Sequence, residues 1–407
     1  MSPASRRQYI LHLETQYIHM TKQFDVIIIG AGALGVFHAY HALKAGKTVR
    51  LLEKDKRAQE ATVRNFGQVV PSGLIPGSEW HEYGRIATEL YKEIQSEFHI
   101  GIRNNGSCYI ANTASEMAVL EELQAKFHAV DYTAALWTAA QLLERYPMVQ
   151  TGYAKGALFF PQEVSAEPEI LVHRVLEYLS VKFPQQFSHR NNCPVVATET
   201  SGDIVTVTTA DKQEYTAAHC FICSGREFKL LFPEVFAESG LIVSKLNMMA
   251  TYPQQHTVLP GNILTGLTIR RYESFTVCDS YQQLDAADVP QDCVDYGIHI
   301  LFKQRVDGSV IIGDSHLYAP IEDQDDLSVF YNDMHINEIM LREAKKIMQL
   351  DNWNIAQNWA GFYAQHEDEI FCHTIDNRIH IVTGIGGKGM TTSAGFAQHN
   401  ISKVLNS

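Results

Sequence analysis

The chain has 407 residues, 45 % hydrophobic and 19 % charged, enough for two domains with substantial cores. A net charge of −13 argues against nucleic acid or an anionic membrane as a partner, and leaves a small anionic ligand only to a locally basic pocket. No apolar run approaches the roughly 18 residues that suggest a membrane span, and seven scattered cysteines fit a reduced, cytoplasmic protein.

Residues 1–23 contain Arg6 and Arg7 but neither the apolar core nor the cleavage pattern of a signal peptide. Met20 lies five residues before Asp25, so residues 1–19 read either as a loosely held N-terminal extension or as the product of an upstream start. Val26–Ile29 is an apolar run suited to a buried parallel strand. Gly30, Gly32 and Gly35 follow as G-x-G-x-x-G, with Ala31, Ala33 and Leu34 between them. The first glycine makes the tight turn, the second lets backbone approach a pyrophosphate, and the third lets a helix pack on the strand. Ala33–Ala45 is that helix, stopped by Gly46. Thr48–Leu52 is a second strand ending at Glu53 and Lys54, and Glu53 stands where an acid accepts ribose hydroxyls. Strand, glycines, helix, strand and acid in this order predict a dinucleotide, FAD or NAD rather than NADP, with its phosphates at the helix N-terminus.

Residues 56–78 form a long loop punctuated by glycine and proline, a feature that is usually functional. Helices are expected at Glu79–Phe98, Ser115–Ala129 with Ser115 as cap, Thr138–Tyr146 and Pro168–Phe183. Gly106–Ala111 and Ala157–Pro161 read as strands, and Val195–Glu199 with Ile204–Thr208 as a hairpin. His219–Cys223 is a buried strand running into Ser224-Gly225; Cys220 and Cys223 point to opposite faces of it and are structural thiols rather than a ligand pair. His38 and His41 share a helix face without further ligands and read as packing residues. Leu241–Thr251 and Leu264–Thr276 are expected as strands of a second sheet, and Gly297–Arg305 with Val310–Gly313 as a hairpin across Asp307-Gly308. Ile321–Asp326 reads as a solvated loop and Leu327–Leu350 as one long helix. Residues 356–364 and 379–382 return to strand, Gly384–Thr391 is a second glycine loop, and a last helix runs to about Val404.

This order predicts an α/β fold: a Rossmann-like nucleotide domain (20–105, 156–240 and 355–407) interleaved with an α+β, antiparallel-sheet substrate domain (106–155 and 241–354). GAGALG, the SG of CSGRE, and TGIGGKGMTTSAGFA together resemble the D-amino-acid oxidase/sarcosine oxidase family of FAD-dependent oxidoreductases, over residues 24–404. ATVRNFGQVVPSG (61–73), KLNMM (245–249), TGLTIRRYESF (265–275) and GIHILFKQRVDGSVIIGDSHLY (297–318) resemble a bacterial subfamily associated with aminophosphonate breakdown. The resemblance implies FAD as cofactor. Gly30, Gly32, Gly35 and Glu53 would hold its ADP half, Val196 its adenine and Gly225, beside Ser224, its pyrophosphate. Arg64, Asn65, Gly67 and Gln68 would lie beside the isoalloxazine ring. Gly384, Gly386, Gly387, Lys388, Gly389, Met390 and Thr391 would bring a helix N-terminus to its polar edge. WAGFYA (359–364) lacks the family's flavin-linking cysteine, so non-covalent FAD is expected. Ile311 stands where sarcosine oxidases carry an oxygen-activating lysine, so slow reaction with oxygen is expected.

The expected reaction is hydride transfer from an amine α-carbon to the flavin, followed by imine hydrolysis; no catalytic residue is assigned. Along Gly297–Arg305, His299, Lys303 and Arg305 share a strand face, expected to roof the substrate cavity. Arg64, one of Arg270 and Arg271 (taken as Arg271), Tyr272 and His316 are expected to approach the same cavity, giving a cationic site for a phosphonate. The expected partners are therefore a small anionic amine, a relative of 2-aminoethylphosphonate, and oxygen or another electron acceptor. Two alternatives stand: an N-methyl or secondary amino acid as substrate, or a flavin-binding protein whose cofactor is structural and whose role is to bind a partner.

Overall fold

The computed structural model describes residues 23–327, 330 and 332–405. The extension expected at residues 1–19 lies outside the described residues. β1 (Gln23–Ile29) sits inside an eight-stranded sheet. Its side chains alternate between two cores: Val26 and Ile28 pack with the helices, Ile27 and Ile29 with the opposite face. Burial on both faces is why the segment reads as a continuous apolar run. β1 is followed by α1 (Ala33–Lys44) and β2 (Val49–Leu52), and Gly46, at φ +79°, closes the helix. β2 and Glu214–Ile222 flank β1 in parallel, and Phe187–Arg190 and Ile379–Thr383 extend the parallel run on either side. The hairpin Val195–Ser201/Ile204–Thr209 and the strand Phe371–Ile375 add antiparallel edges. Helices Glu79–Glu97, Pro168–Lys182 and Gly389–Leu405 share a core with α1.

A nine-stranded, mostly antiparallel sheet stands beside it. Its spine is Ile242–Thr251, paired with Ile355–Gln365, Leu317–Pro320 and Val310–Gly313, and it continues through Leu301–Gln304 and Asn262–Leu264 to Ser107–Ala111. Helix Met334–Ile347 packs on one face and Ala114–His128 on the other. Gln68–Val69, Val164–Ala166 and Ile102–Arg103 form a small third sheet.

Several expectations are corrected. Gly156–Phe160 and Ile355–Gln365, assigned from sequence to the nucleotide part, hydrogen-bond into the second sheet, against Ser107–Ala111 and Ile242–Thr251. A strand's own pattern does not name its partner. The strand expected at Leu264–Thr276 ends at Leu264 and gives way to the short helices Gly266–Ile269 and Glu273–Thr276. Its β-branched residues favour a strand, and helices of four residues each are too short to show a helical period; Gly266 lies against the Glu116 carboxylate, where an added Cβ would sit 2.5 Å from Oε1. Thr113, not Ser115, caps helix Ala114–His128. The helix expected at Leu327–Leu350 is Met334–Ile347, capped by Asp333, and Ile321–Leu327 is a 3-10 turn that buries Gln324 and Leu327; residues 328, 329 and 331 of that expectation lie outside the described residues. Cys220 and Cys223 are free thiols in different cores, and His38 and His41 bond to the carbonyls of Leu34 and Ala394, as packing residues do.

Candidate active site

Three adjoining cavities form one trough at the carboxyl ends of the parallel strands. The first is lined by Gly30, Ala31, Gly32, Glu53, Lys54, Ser224 and Gly225. Glu53 is 5 % exposed; its Oε2 accepts the Ala31 N–H at 2.8 Å and its Oε1 the Asp55 N–H at 3.0 Å. Val196 is exposed and not among the lining residues; its neighbour Val195 and Cys193 take that place. The loop's glycines differ in what forbids a side chain. A Cβ on Gly30, at φ +101°, would lie 2.4 Å from the Cys223 carbonyl oxygen, and one on Gly35 would lie 1.9 Å from that of Gly30. Both are needed by the fold itself. Gly32 would meet only Thr62 Oγ1, at 3.5 Å, and Gly225 nothing within 4 Å. These two leave open space at the N-terminus of α1, which lacks a side-chain cap. The Ala33 N–H is taken by Thr62 Oγ1 at 3.0 Å; the open backbone at Gly32 and Gly225 beside this helix N-terminus fits a pyrophosphate.

The second cavity shares Gly32, Thr62 and Gly225 with the first, and continues past Ala33, Leu34, Gly384, Gly389 and Met390. The third, of about 610 Å³, shares Asn65, Tyr363, Ile385 and Gly386 with the second. Gln68, Gly387, Lys388 and Thr391 also line it. Gly386–Lys388 makes one uncapped 3-10 turn into helix Gly389–Leu405, and Gly387 has no heavy atom within 4 Å of an added Cβ. The second glycine loop thus presents backbone to the large cavity, as the first does to the adenosine end. The trough runs from an acid suited to ribose, past a phosphate-sized gap, to a chamber for a flavin and a substrate, so the residues present fit FAD.

The substrate end brings together some expected residues and excludes others. His299, His316, Tyr272 and Arg271 line the large cavity, with Leu301 and Asp314. Only one of the adjacent arginines enters, as expected, although they sit on a helical turn rather than a strand. Arg270 is held by Glu116 and Asp288, and Arg271 donates to Tyr318 Oη at 2.6 Å. Lys303, Arg305 and Arg64 do not line the cavity. Lys303 is 1 % exposed, donates to the Ala166 carbonyl, and is pushed down to about 7 by burial. It faces Ile311 across the ladder, so both side chains leave the same sheet face, but Val164–Ala166 covers it. Arg305 pairs with Glu169 and lies 5.1 Å over the Trp359 ring. Arg64 is spent on the carbonyls of Gln59 and Ala360. Gly67, at φ +87°, supports Asn65, whose Oδ1 accepts its N–H.

The expectation of a cation-rich cavity is therefore corrected. Its described lining residues include two fixed cations, Arg271 and Lys388, against four carboxylates, Glu273, Asp314, Glu367 and Glu369. Lys388 is paired with Glu369, lies 4.6 Å over the Trp80 ring, and is pushed down to about 8 by burial. Arg271 and Glu367 are exposed, so this charge lies at the mouth. Two buried groups mark the inner wall: His299 is 2 % exposed and Asp314 6 %. Their backbones exchange hydrogen bonds, and His299 Nε2 stands 2.5 Å from Asp314 Oδ1. Burial works to raise the Asp314 carboxyl, but His299, His316 and Arg271 hold it below the ordinary carboxylate value. Burial pushes His316 down to about 3, so it is neutral. Asp314 went unassigned from sequence; the signal was GDSH, an acid closing a strand beside a histidine.

The chain matches the DAO family, described as FAD dependent oxidoreductase, over residues 25–400. It is 23 % identical to monomeric sarcosine oxidase of Bacillus sp. (strain NS-129) over 92 % of this chain and 91 % of that protein. It is 26 % identical to glycine oxidase of Bacillus licheniformis over 53 % of this chain and 58 % of that one. In fold it is similar to glycine oxidase from Geobacillus kaustophilus, with a TM-score of 0.73 at 14 % identity, covering 95 % of each chain. It is also similar to L-proline dehydrogenase from P. horikoshii, with a TM-score of 0.75 at 15 % identity, covering 95 % of this chain and 94 % of that one. The family match spans nearly all the described residues, and the trough at the strand ends fits the cofactor that the family requires: this chain belongs to the DAO family of FAD dependent oxidoreductases.

Proposed function

We propose that this enzyme oxidises the C–N bond of a small amine that also carries an acid group, with FAD held non-covalently. The observation that carries this reading is the charge layout of the large cavity. Arg271 stands at the mouth, and the Asp314 carboxylate lies on the inner wall beyond Tyr272 and His316. A cation outside and an anion inside suit a zwitterion that enters ammonium first, with its acid group on the guanidinium. The exposed Glu367, with Glu273 on the cavity lining, attracts the ammonium and repels an anion lacking one. FAD supplies a two-electron acceptor for hydride from the α-carbon. The chain's part is to bind and orient the amine and to exclude water from the reacting carbon. Water then hydrolyses the imine, and oxygen or another acceptor takes the electrons. Among the described residues lining the large cavity there is no cysteine, which supports non-covalent FAD.

Within this class we favour a 2-aminoethylphosphonate derivative, because a guanidinium fork matches a tetrahedral dianion. The test compares N-methyl-2-aminoethylphosphonate, its carboxylate analogue and a neutral amine of the same length, in wild type and Arg271→Met. Loss of one charge-assisted contact costs about 1.5–3 kcal/mol, roughly ten- to a hundredfold. Arg271→Met should lower kcat/KM by that factor for the acid-bearing amines and leave the neutral amine nearly unchanged. A wild type that prefers the carboxylate would replace the phosphonate by an N-methyl amino acid. An Arg271→Met enzyme with equal losses on all three would remove the acid-group reading.

A further inference from the structure

The inner wall holds an arrangement that substrate binding alone does not require. Asp314 Oδ1 is buried and, despite its 2.5 Å approach to His299 Nε2, has no aligned hydrogen-bond donor. The other ring nitrogen of His299, Nδ1, lies 3.3 Å from Thr268 Oγ1. If Nδ1 carries the proton and donates it to Thr268, the Nε2 lone pair faces a carboxylate lone pair with no proton between them. His299, Asp314 and His316 each offer a donor atom within 4.8 Å of the others, which raises the question of a metal ion. Two ligand atoms held about 2.0–2.1 Å from one zinc ion in a tetrahedral shell lie about 3 Å or more apart, so Nε2 and Oδ1, 2.5 Å apart, do not both ligate such an ion as they stand.

We propose that Asp314 and His299 form the amine-activating pair of this enzyme. The substrate ammonium donates an N–H to Asp314 Oδ1, and its proton passes to His299 Nε2. The amine is left neutral, with its nitrogen lone pair free to assist loss of hydride from the α-carbon. The charges balance: ammonium, carboxylate and neutral imidazole become neutral amine, carboxylate and imidazolium, with the imidazolium paired to Asp314. The groups facing the pair suit this transfer. His316 is neutral, its Nδ1 at hydrogen-bonding distance (3.2 Å) from the Gly297 carbonyl oxygen, so it does not compete for the proton. The Tyr272 ring stands edge-on to His299 at 5.7 Å, and burial pushes the hydroxyls of Tyr272 and Tyr363 up, keeping them un-ionised. Arg271 bears on Asp314 from the mouth and helps keep it ionised. Glu273 is the remaining carboxylate on the Arg271 segment. The inference rests on the amine-oxidising reading above and assigns that reaction its proton acceptor.

The test is the limiting rate of anaerobic flavin bleaching at saturating amine across pH, in wild type, His299→Gln and the near-isosteric Thr268→Val. In wild type the proton moves inside the complex, so the limiting rate should be nearly flat through neutral pH. In His299→Gln it must leave to solvent. The rate should then be at least tenfold lower near neutrality, rise about tenfold per pH unit, and converge on wild type in alkali. Thr268→Val should show a weaker form of the same slope. FAD content and the visible spectrum of each variant report folding separately, because none of these residues lines the adenosine end. A pH-independent loss in both variants would mean a structural role and overturn the proposal, as would stoichiometric transition metal in the purified wild type. If no amine bleaches wild type at any pH, the amine-oxidising reading fails instead; if amines bleach all three proteins with one pH profile, only the pair's role fails.

Discussion

Glu53 shows how one side chain serves both the fold and the cofactor. Its carboxylate fixes the backbone N–H groups of Ala31 and Asp55 and still faces the adenosine end of the trough. Glu53→Gln keeps one acceptor and loses the charge, so FAD affinity should fall by about 1.5–3 kcal/mol, measurable by flavin fluorescence on titrating apoprotein. An unchanged dissociation constant would remove Glu53 from the ribose. Lys303 shows where reading residues by parity stops. The sequence places it correctly on the face of His299, but parity does not say which element lies above each position. The strand Val164–Ala166 covers Lys303, whereas the cavity opens over His299. Lys303→Met should therefore leave the preference for acid-bearing over neutral amines unchanged. Its effect is on stability. Burial lowers this lysine, so the unfolded chain holds the proton more tightly between about pH 7 and its ordinary value near 10.5. Wild type should gain stability relative to Lys303→Met as pH rises through that range. Urea unfolding at pH 7 and pH 10 checks the sign.

At the scale of elements, the two glycine loops make separable predictions. Gly30→Ala forces a Cβ against the Cys223 carbonyl at φ +101° and should lower Tm with or without FAD. Gly32→Ala and Gly387→Ala place a methyl in open space with no left-handed backbone to strain. They should leave the apoprotein Tm near wild type and reduce the further rise in Tm that FAD gives. If all three lower the apoprotein Tm equally, the open space at Gly32 and Gly387 is not there for a ligand. These loops, β1, α1 and β2 were legible because each carries a local rule: an apolar run, glycine spacing, a stop at Gly46. The short helices at 266–276 were not, because LTIRRY carries β-branched residues and each helix is a single turn of four residues, too short to show a helical period. The pairings of Gly156–Phe160 and Ile355–Gln365 are long-range and leave no mark on their own sequences.

At the scale of the molecule, two sheets built from interleaved stretches of chain meet along one trough, and the charge within it is set by tertiary placement rather than by overall composition. A net charge of −13 and a local basic motif suggested a cationic cavity; the fold lines it with four carboxylates against two cations. One buried acid, near the junction of the sheets, should govern part of the pH response. Glu163 Oε1 accepts the Ser72 N–H at 2.8 Å and the Tyr132 hydroxyl at 3.1 Å, and Oε2 has no partner. Burial pushes this carboxyl up to about 7 against the pull of those hydrogen bonds. An acid raised in the folded state favours folding while protonated, and that contribution is lost as pH climbs from its unfolded value near 4.5 through 7. Glu163→Gln should therefore gain stability relative to wild type between pH 5 and pH 8. A difference in Tm that does not change with pH would show that Glu163 ionises normally. Whether FAD in this trough takes electrons from a small acid-bearing amine is decided by anaerobic titration of the purified holoprotein with N-methyl-2-aminoethylphosphonate and with sarcosine. At least one of them should bleach the flavin band stoichiometrically, with an equal amount of carbonyl product. Failure of every such amine to bleach a flavin that dithionite reduces normally is the result expected of a structural cofactor and would rule out amine oxidation here.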